Sequence, residues 1–151
     1  MGKKKVAEQT TEEAMKSAAT IDSAVQKAAS TGKRSKRIEN GRVFVNSSYN
    51  NTVITITDPQ GGVIAWATAG SIGFSGPKKA TPFAASKIVG VLSEKMKNLG
   101  MSNIDITLKG VGGGRDSAVR SFVNQGFNVT SLRDVTPIPH NGPRPKKVRR
   151  V

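Results

Sequence analysis

The chain has 151 residues, with 24 Lys and Arg against 10 Asp and Glu, a formal net charge of +14 and a pI near 10.6. That excess points to a polyanionic partner, and the absence of cysteine excludes a disulfide framework or a thiolate metal site. No apolar run approaches the roughly 18 residues of a membrane span, and the N-terminus lacks the apolar stretch of a signal peptide, so a cytoplasmic protein is expected.

Residues 1–37 are rich in Ala, Ser, Thr and Lys and contain no aromatic residue. They cannot bury enough apolar surface to offset their ordering entropy and are expected to form a mobile extension. The cluster Lys33, Arg34, Lys36 and Arg37 marks the border of the folded part. One domain is expected over residues 38–136, because a chain of this length supplies one core.

From Arg42 the pattern turns to period two, placing Val43, Val45, Ser47 and Tyr49 on one face of a first strand. After Asn50-Asn51, the β-branched run Thr52 to Thr57 gives a second. Asp58-Pro59-Gln60-Gly61-Gly62 is a tight-turn sequence that returns the chain as a third antiparallel strand, Val63 to Ala69. Trp66 in that strand is expected in the core or packed at the sheet edge rather than serving as a base platform. Gly70 to Lys79 is expected to be a flexible loop in which Phe74, Lys78 and Lys79 have no core to serve.

Thr81-Pro82 opens a helix, the hydroxyl as N-cap and the proline at the first helical position. Its core stripe is Ala84, Ile88, Val91, Leu92, Met96 and Leu99, and Gly100 ends it. Ile104, Ile106 and Leu108 alternate with polar residues in a fourth strand. Past the glycines that follow, Val119, Phe122 and Val123 define a second helix, and Phe127 to Arg133 a fifth strand. The predicted order is βββαβαβ: an α/β fold with one mixed five-stranded sheet and helices packed on it. The first three strands are antiparallel, and those reached through helices run parallel.

The strongest local motif is Lys109-Gly110-Val111-Gly112-Gly113-Gly114-Arg115-Asp116, between a strand and a helix. Glycines let backbone N–H groups approach a phosphate, and the helix N-terminus favours an anion. The motif fails both nucleotide fingerprints, since Arg115 replaces the third glycine of G-x-G-x-x-G and no Gly-Lys-Ser/Thr follows. RNA backbone contact, with Lys109 and Arg115 as cations, is preferred over a ligand-free connector.

Metal-nuclease chemistry would need converging carboxylates, yet Asp58 belongs to a turn, Asp116 reads as a helix N-cap, Glu94 lies on an outward helix face, and Asp105 and Asp134 sit on or beside strands. The only histidine, His140, has no Ser, Cys or acid at triad spacing. No catalytic residue, metal or cofactor is predicted. Without paired aromatics on a strand, recognition is expected to rest on phosphates, 2′-hydroxyls and RNA shape. Residues 137–151 hold four prolines that stiffen the stretch from Pro137 through His140, Asn141 and Gly142. Arg144, Lys146, Lys147, Arg149 and Arg150, with no acid among them, would order on RNA. A DNA-binding architectural protein is the alternative with the same charge.

Several motifs resemble one family. Tyr49-Asn50-Asn51-Thr52, Ile54 to Asp58, Trp66 to Gly70, Gly73-Phe74, Lys79 to Ala85, Lys109-Gly110 with Arg115, and Asp134 to Gly142 stand in the order and spacing of the universal small-subunit ribosomal protein eleven family, bacterial branch. The resemblance spans about residues 38–151. It implies a non-enzymatic structural protein with an architecture similar to ribonuclease H, on the platform of the small ribosomal subunit. There it would bridge ribosomal RNA helices beside the cleft where messenger RNA leaves and its leader pairs with ribosomal RNA. Small-subunit proteins seven and eighteen would be neighbours and initiation factor three would bind nearby. RNA contacts would fall on Asn50 and Asn51, the Gly73 to Lys79 loop, the Gly110 to Arg115 turn, and His140 through Arg150. The extension before Lys33 is longer than the family's usual start, and Pro143 stands where bacterial relatives often have Cys.

Overall fold

The computed structural model describes residues 38–144, 146 and 147. The expected extension 1–37 lies outside the described residues, as do Lys33, Arg34, Lys36, Arg37, Arg149 and Arg150.

The order is β1 (Asn40–Ser47), β2 (Thr52–Thr57), β3 (Val63–Thr68), α1 (Pro82–Asn98), β4 (Asn103–Lys109), α2 (Gly114–Asn124) and β5 (Asn128–Asp134). One mixed sheet runs β3-β2-β1-β4-β5. The meander β1-β2-β3 is antiparallel, while β4 lies parallel to both β1 and β5. The predicted order and strand directions therefore stand, and β1 is the central strand.

Alternation places the core. Val43 sits opposite Ile56 and Ile106, Val45 opposite Ile54 and Leu108, and all are buried. Residues in register on neighbouring strands point to the same side, so these side chains form one continuous apolar face. Ala84, Ala85, Ile88, Val89 and Leu92 of α1 and Ala118 and Phe122 of α2 join them in one core. Each fully buried Ile or Leu there contributes roughly 1.5–3 kcal/mol, enough to hold both helices on that side. The intervening positions Arg42, Phe44, Asn46, Thr55, Trp66, Asp105, Thr107 and Lys109 line the opposite face, which no helix among the described residues covers.

Helix α1 begins as its sequence dictates: the Thr81 hydroxyl accepts from the Ala84 N–H at 3.3 Å and Pro82 occupies the first helical position. Lys95 and Lys97 in its last turn complement the helix dipole.

Four local expectations are corrected. Strand β1 ends at Ser47, because Ser48 and Asn51 close a turn there, so Tyr49 is 78% exposed rather than on the core face. The 70–79 segment is organised as two short 3₁₀ turns, Gly70–Ile72 and Gly76–Ala80. Phe74 within it packs on the core and meets the Phe83 ring edge-on at 6.0 Å. The N-cap of α2 is Gly113, with Asp116 in the first turn, and Val123 faces outward while Ala118 and Phe122 carry the buried stripe.

Candidate nucleic-acid interface

Strands β1, β3, β4 and β5 all point their carboxyl ends to one edge of the sheet, and the predicted contact segments emerge there. The β1–β2 turn holds Asn50 and Asn51, Gly73 to Lys79 follows β3, the glycine turn follows β4, and the chain leading to His140 follows β5. In sheets with parallel strands this edge is where ligands bind, because loops there converge from several strands.

The β1–β2 turn is self-contained. The Ser48 N–H and hydroxyl both donate to the Asn51 carbonyl, at 2.9 and 3.1 Å, and the Asn51 side-chain oxygen accepts from the Thr52 N–H at 3.0 Å. Asn51 is thus committed inward, whereas Asn50 is exposed.

The glycine turn is packed on this turn. Gly112 donates its N–H to the Ser47 carbonyl at 2.9 Å. Gly112 and Gly114 are buried, with ideal Cβ positions 2.3 Å from the Ser48 oxygen and 2.8 Å from the Thr52 hydroxyl. Gly113 is exposed and reaches toward the Ala80 carbonyl at the end of the second 3₁₀ turn. The sequence signal for these glycines was phosphate approach; their observed neighbour is backbone of the same chain.

A latch joins the turn to the end of β5. Arg115 donates to the Gly110 carbonyl at 2.6 Å and pairs with the Asp134 carboxylate. The Thr136 hydroxyl accepts from the Gly110 N–H at 3.1 Å and donates to Asp134 at 2.6 Å, and the Thr136 N–H donates to the same oxygen at 2.9 Å. Hydrogen bonds from the Thr136 hydroxyl and N–H, then from Arg115, lower the Asp134 pKa to about 2. Arg115 meets solvent with only its remaining N–H groups, so the exposed cation of the turn is Lys109. This latch was missed by sequence reasoning, since Arg115 and Asp134 are 19 residues apart and meet only through the β4–β5 pairing.

A lowered folded-state value adds stability above the unfolded value near 3.8, and that contribution is lost as pH falls toward about 2. Asp134→Asn is expected to unfold at a lower temperature than the parent at neutral pH, with the gap closing between about pH 4 and 2. Melting curves across that window check it; a gap that persists unchanged at the acid end would remove the latch from the account.

Of the other predicted contact residues, Lys79 is half-buried, and Lys78, His140, Gly142, Arg144, Lys146 and Lys147 are exposed. Asn141 is exposed and is the described non-glycine residue with positive φ, at 51°. With no Cβ on Gly142 to hinder backbone attack on the Asn141 side chain, isoaspartate is expected to accumulate in the isolated protein on ageing. Peptide mapping by mass spectrometry that finds only intact Asn141 would disprove it. Among the described residues, no three of His, Cys, Asp and Glu converge as metal ligands, and no helix is long and apolar enough to cross a membrane.

Described helices on one face of the sheet, with lysines and a cationic chain emerging at the carboxyl ends of its strands, define a basic α/β domain suited to a polyanion. The family model for ribosomal protein S11 matches residues 41–150. The small ribosomal subunit protein uS11 of Nitrosococcus oceani is 50% identical over 123 residues, covering 81% of this chain and 97% of that protein. Those of Cellvibrio japonicus and a Bradyrhizobium species are 49% identical over 125 residues and 53% over 116, covering 83% and 77% of this chain and 95% and 90% of the relatives. The chain belongs to the ribosomal protein S11 family, whose members are structural and not enzymes.

Proposed function

We propose that the protein is an RNA-binding constituent of the small ribosomal subunit, sitting on its platform and bridging ribosomal RNA helices beside the messenger RNA exit. The observation that carries this is the convergence of the β1–β2 turn, the Gly73 to Lys79 segment, the Gly110 to Arg115 turn and the cationic chain beyond β5 at one edge of the sheet. A rigid domain with cations on that edge neutralises phosphates where helices crowd together, which serves both assembly and the standing structure. The relatives' designation as small-subunit proteins supports the assignment.

On this reading Asn50, Lys78, Lys109 and residues His140 through Arg150 touch RNA, with the basic cluster Lys33 to Arg37 adding a contact from the other end of the chain. Small-subunit proteins seven and eighteen are its protein neighbours, and initiation factor three and the messenger RNA leader pass nearby. The test is co-sedimentation: tagged full-length chain expressed in a bacterial host is expected to migrate with small subunits through a gradient at physiological salt. Recovery only at the top of the gradient, or preference for duplex DNA over folded ribosomal RNA in competition, would defeat the proposal.

A further inference from the structure

The face of the sheet that no helix among the described residues covers carries a row of paired positions across all five strands: Trp66, Thr55, Phe44, Thr107 and Arg133. Trp66 is 61% exposed and Phe44 39%. Exposed apolar residues scattered singly are ordinary, but these two rings share one row and one face, separated by the single strand that holds Thr55. Two strand spacings put their backbones about 9.5 Å apart. That is too far for the rings to stack on each other, and open enough for a planar group to lie on each.

The charge of the face decides what that group is. Arg42, Lys109 and Arg133 are exposed on it, and Asp105, its one strand carboxylate among the described residues, is half-buried and accepts from the Ser131 hydroxyl at 3.0 Å. At one end Asn40, Asn103 and Asn128 form a ladder of side-chain amides, with links of 3.0 and 3.1 Å. A cleft of about 370 Å³ opens beside them, with Asn40, Arg42, Pro59 and Asp105 in its wall. Aromatic faces beside cations, with amide donors and acceptors on the same face, suit unpaired nucleobases on a phosphate backbone. A protein partner seated here would instead leave three cations facing an apolar interface core, where charges are depleted.

We propose that this open face is a second RNA contact, one that takes unpaired bases by stacking them on Trp66 and Phe44 while Arg42, Lys109 and Arg133 hold phosphates of the strand where it runs on across β1, β4 and β5. The inference rests on the ribosomal RNA-binding reading but concerns the open face, which meets the loop edge at Lys109 and uses a different chemistry, base stacking. The sequence expectation that Trp66 packs in the core or at the sheet edge rather than serving bases is corrected by its exposure; the two aromatics lie on strands that are not neighbours, and only the register brings them into one row.

Trp66 is the chain's only tryptophan, so its emission reports on the site. Full-length protein titrated at low salt with a single-stranded oligouridylate is expected to show saturable quenching, and with a duplex of equal length none. Phe44→Leu, which keeps apolar bulk and loses the ring, is expected to weaken binding about tenfold. Trp66→Leu, followed by anisotropy of a labelled oligonucleotide, is expected to do the same. Arg133→Gln keeps both rings and should lower the salt dependence by about one charge. Melting curves confirm that each variant folds, as expected for exposed positions.

Failure of single strands to quench Trp66, in protein that still binds folded ribosomal RNA, would overturn this proposal and leave the broader function standing. Loss of both would bring down the broader function too. In assembled subunits, a photoreactive phenylalanine analogue at position 66 should crosslink to RNA; crosslinking to protein instead would assign the face to a protein neighbour and overturn the proposal.

Discussion

Gly110→Ala is expected to lower the melting temperature by about 10–20 °C, a loss of about 3 kcal/mol in a folded part of roughly 100 residues. Two costs add at this position. Its φ is +97°, a conformation that costs a side chain roughly 1–2 kcal/mol. An added Cβ would also stand 2.1 Å from the Ser47 carbonyl oxygen, and relieving such overlap typically costs about 1–3 kcal/mol. That carbonyl cannot swing away, because it already accepts the Gly112 N–H.

Two further glycines separate the costs. Gly61 has φ +96° with nothing within 4 Å of its added Cβ, so Gly61→Ala carries strain alone, about 1 kcal/mol. Gly112 lacks the positive φ, but its Cβ would lie 2.3 Å from the Ser48 oxygen, so Gly112→Ala carries crowding alone. Urea and thermal unfolding of the three variants should rank Gly110 worst and Gly61 mildest. If Gly110→Ala matched Gly61→Ala, close backbone approach would not be what the turn requires of its glycines.

The same turn shows where a sequence stops being readable. Val43 and Val45, or Ile104, Ile106 and Leu108, alternate with polar residues, so their facing is fixed by period two alone, as is the start of α1 by Thr81-Pro82. In β3 the run Val-Ile-Ala-Trp-Ala is apolar throughout, and no alternation says which side is inside. Pairing with β2 decides it: Ala67 opposes Ile54 and Ala65 opposes Ile56 on the helix side, so Trp66, opposite Thr55, is turned out. A one-residue slip would have buried the tryptophan, which is why facing follows register and not residue type.

The site was legible as segments and not as an assembly. Residues 47–52, 109–115 and 134–136 were each visible as turns or strand ends, but their meeting depends on β4 pairing with β1 and β5 at once. Phe74 was misjudged for a related reason, because its partner Phe83 lies beyond the second 3₁₀ turn and comes back to it only in the fold.

RNA affinity is expected to fall steeply with salt, and the chain beyond β5 should carry much of that dependence. If 6–10 phosphates are neutralised, affinity for a folded ribosomal RNA fragment drops about 10³–10⁵-fold between 50 and 200 mM salt, since each contact releases close to one counterion. Removing residues 137–151 takes away Arg144, Lys146, Lys147, Arg149 and Arg150. With about 0.9 counterion per contact, the logarithmic slope should become shallower by as much as about 4.5. The cut is placed to leave Thr136, whose hydroxyl bridges the Gly110 N–H and the Asp134 carboxylate, so the latch and the melting temperature should survive. Filter binding across a salt series checks the slope and thermal unfolding checks the core. Loss of affinity together with a lowered melting temperature would mean that the residues after Thr136 brace the domain. An unchanged slope would place the phosphate contacts on the loops of the sheet edge instead.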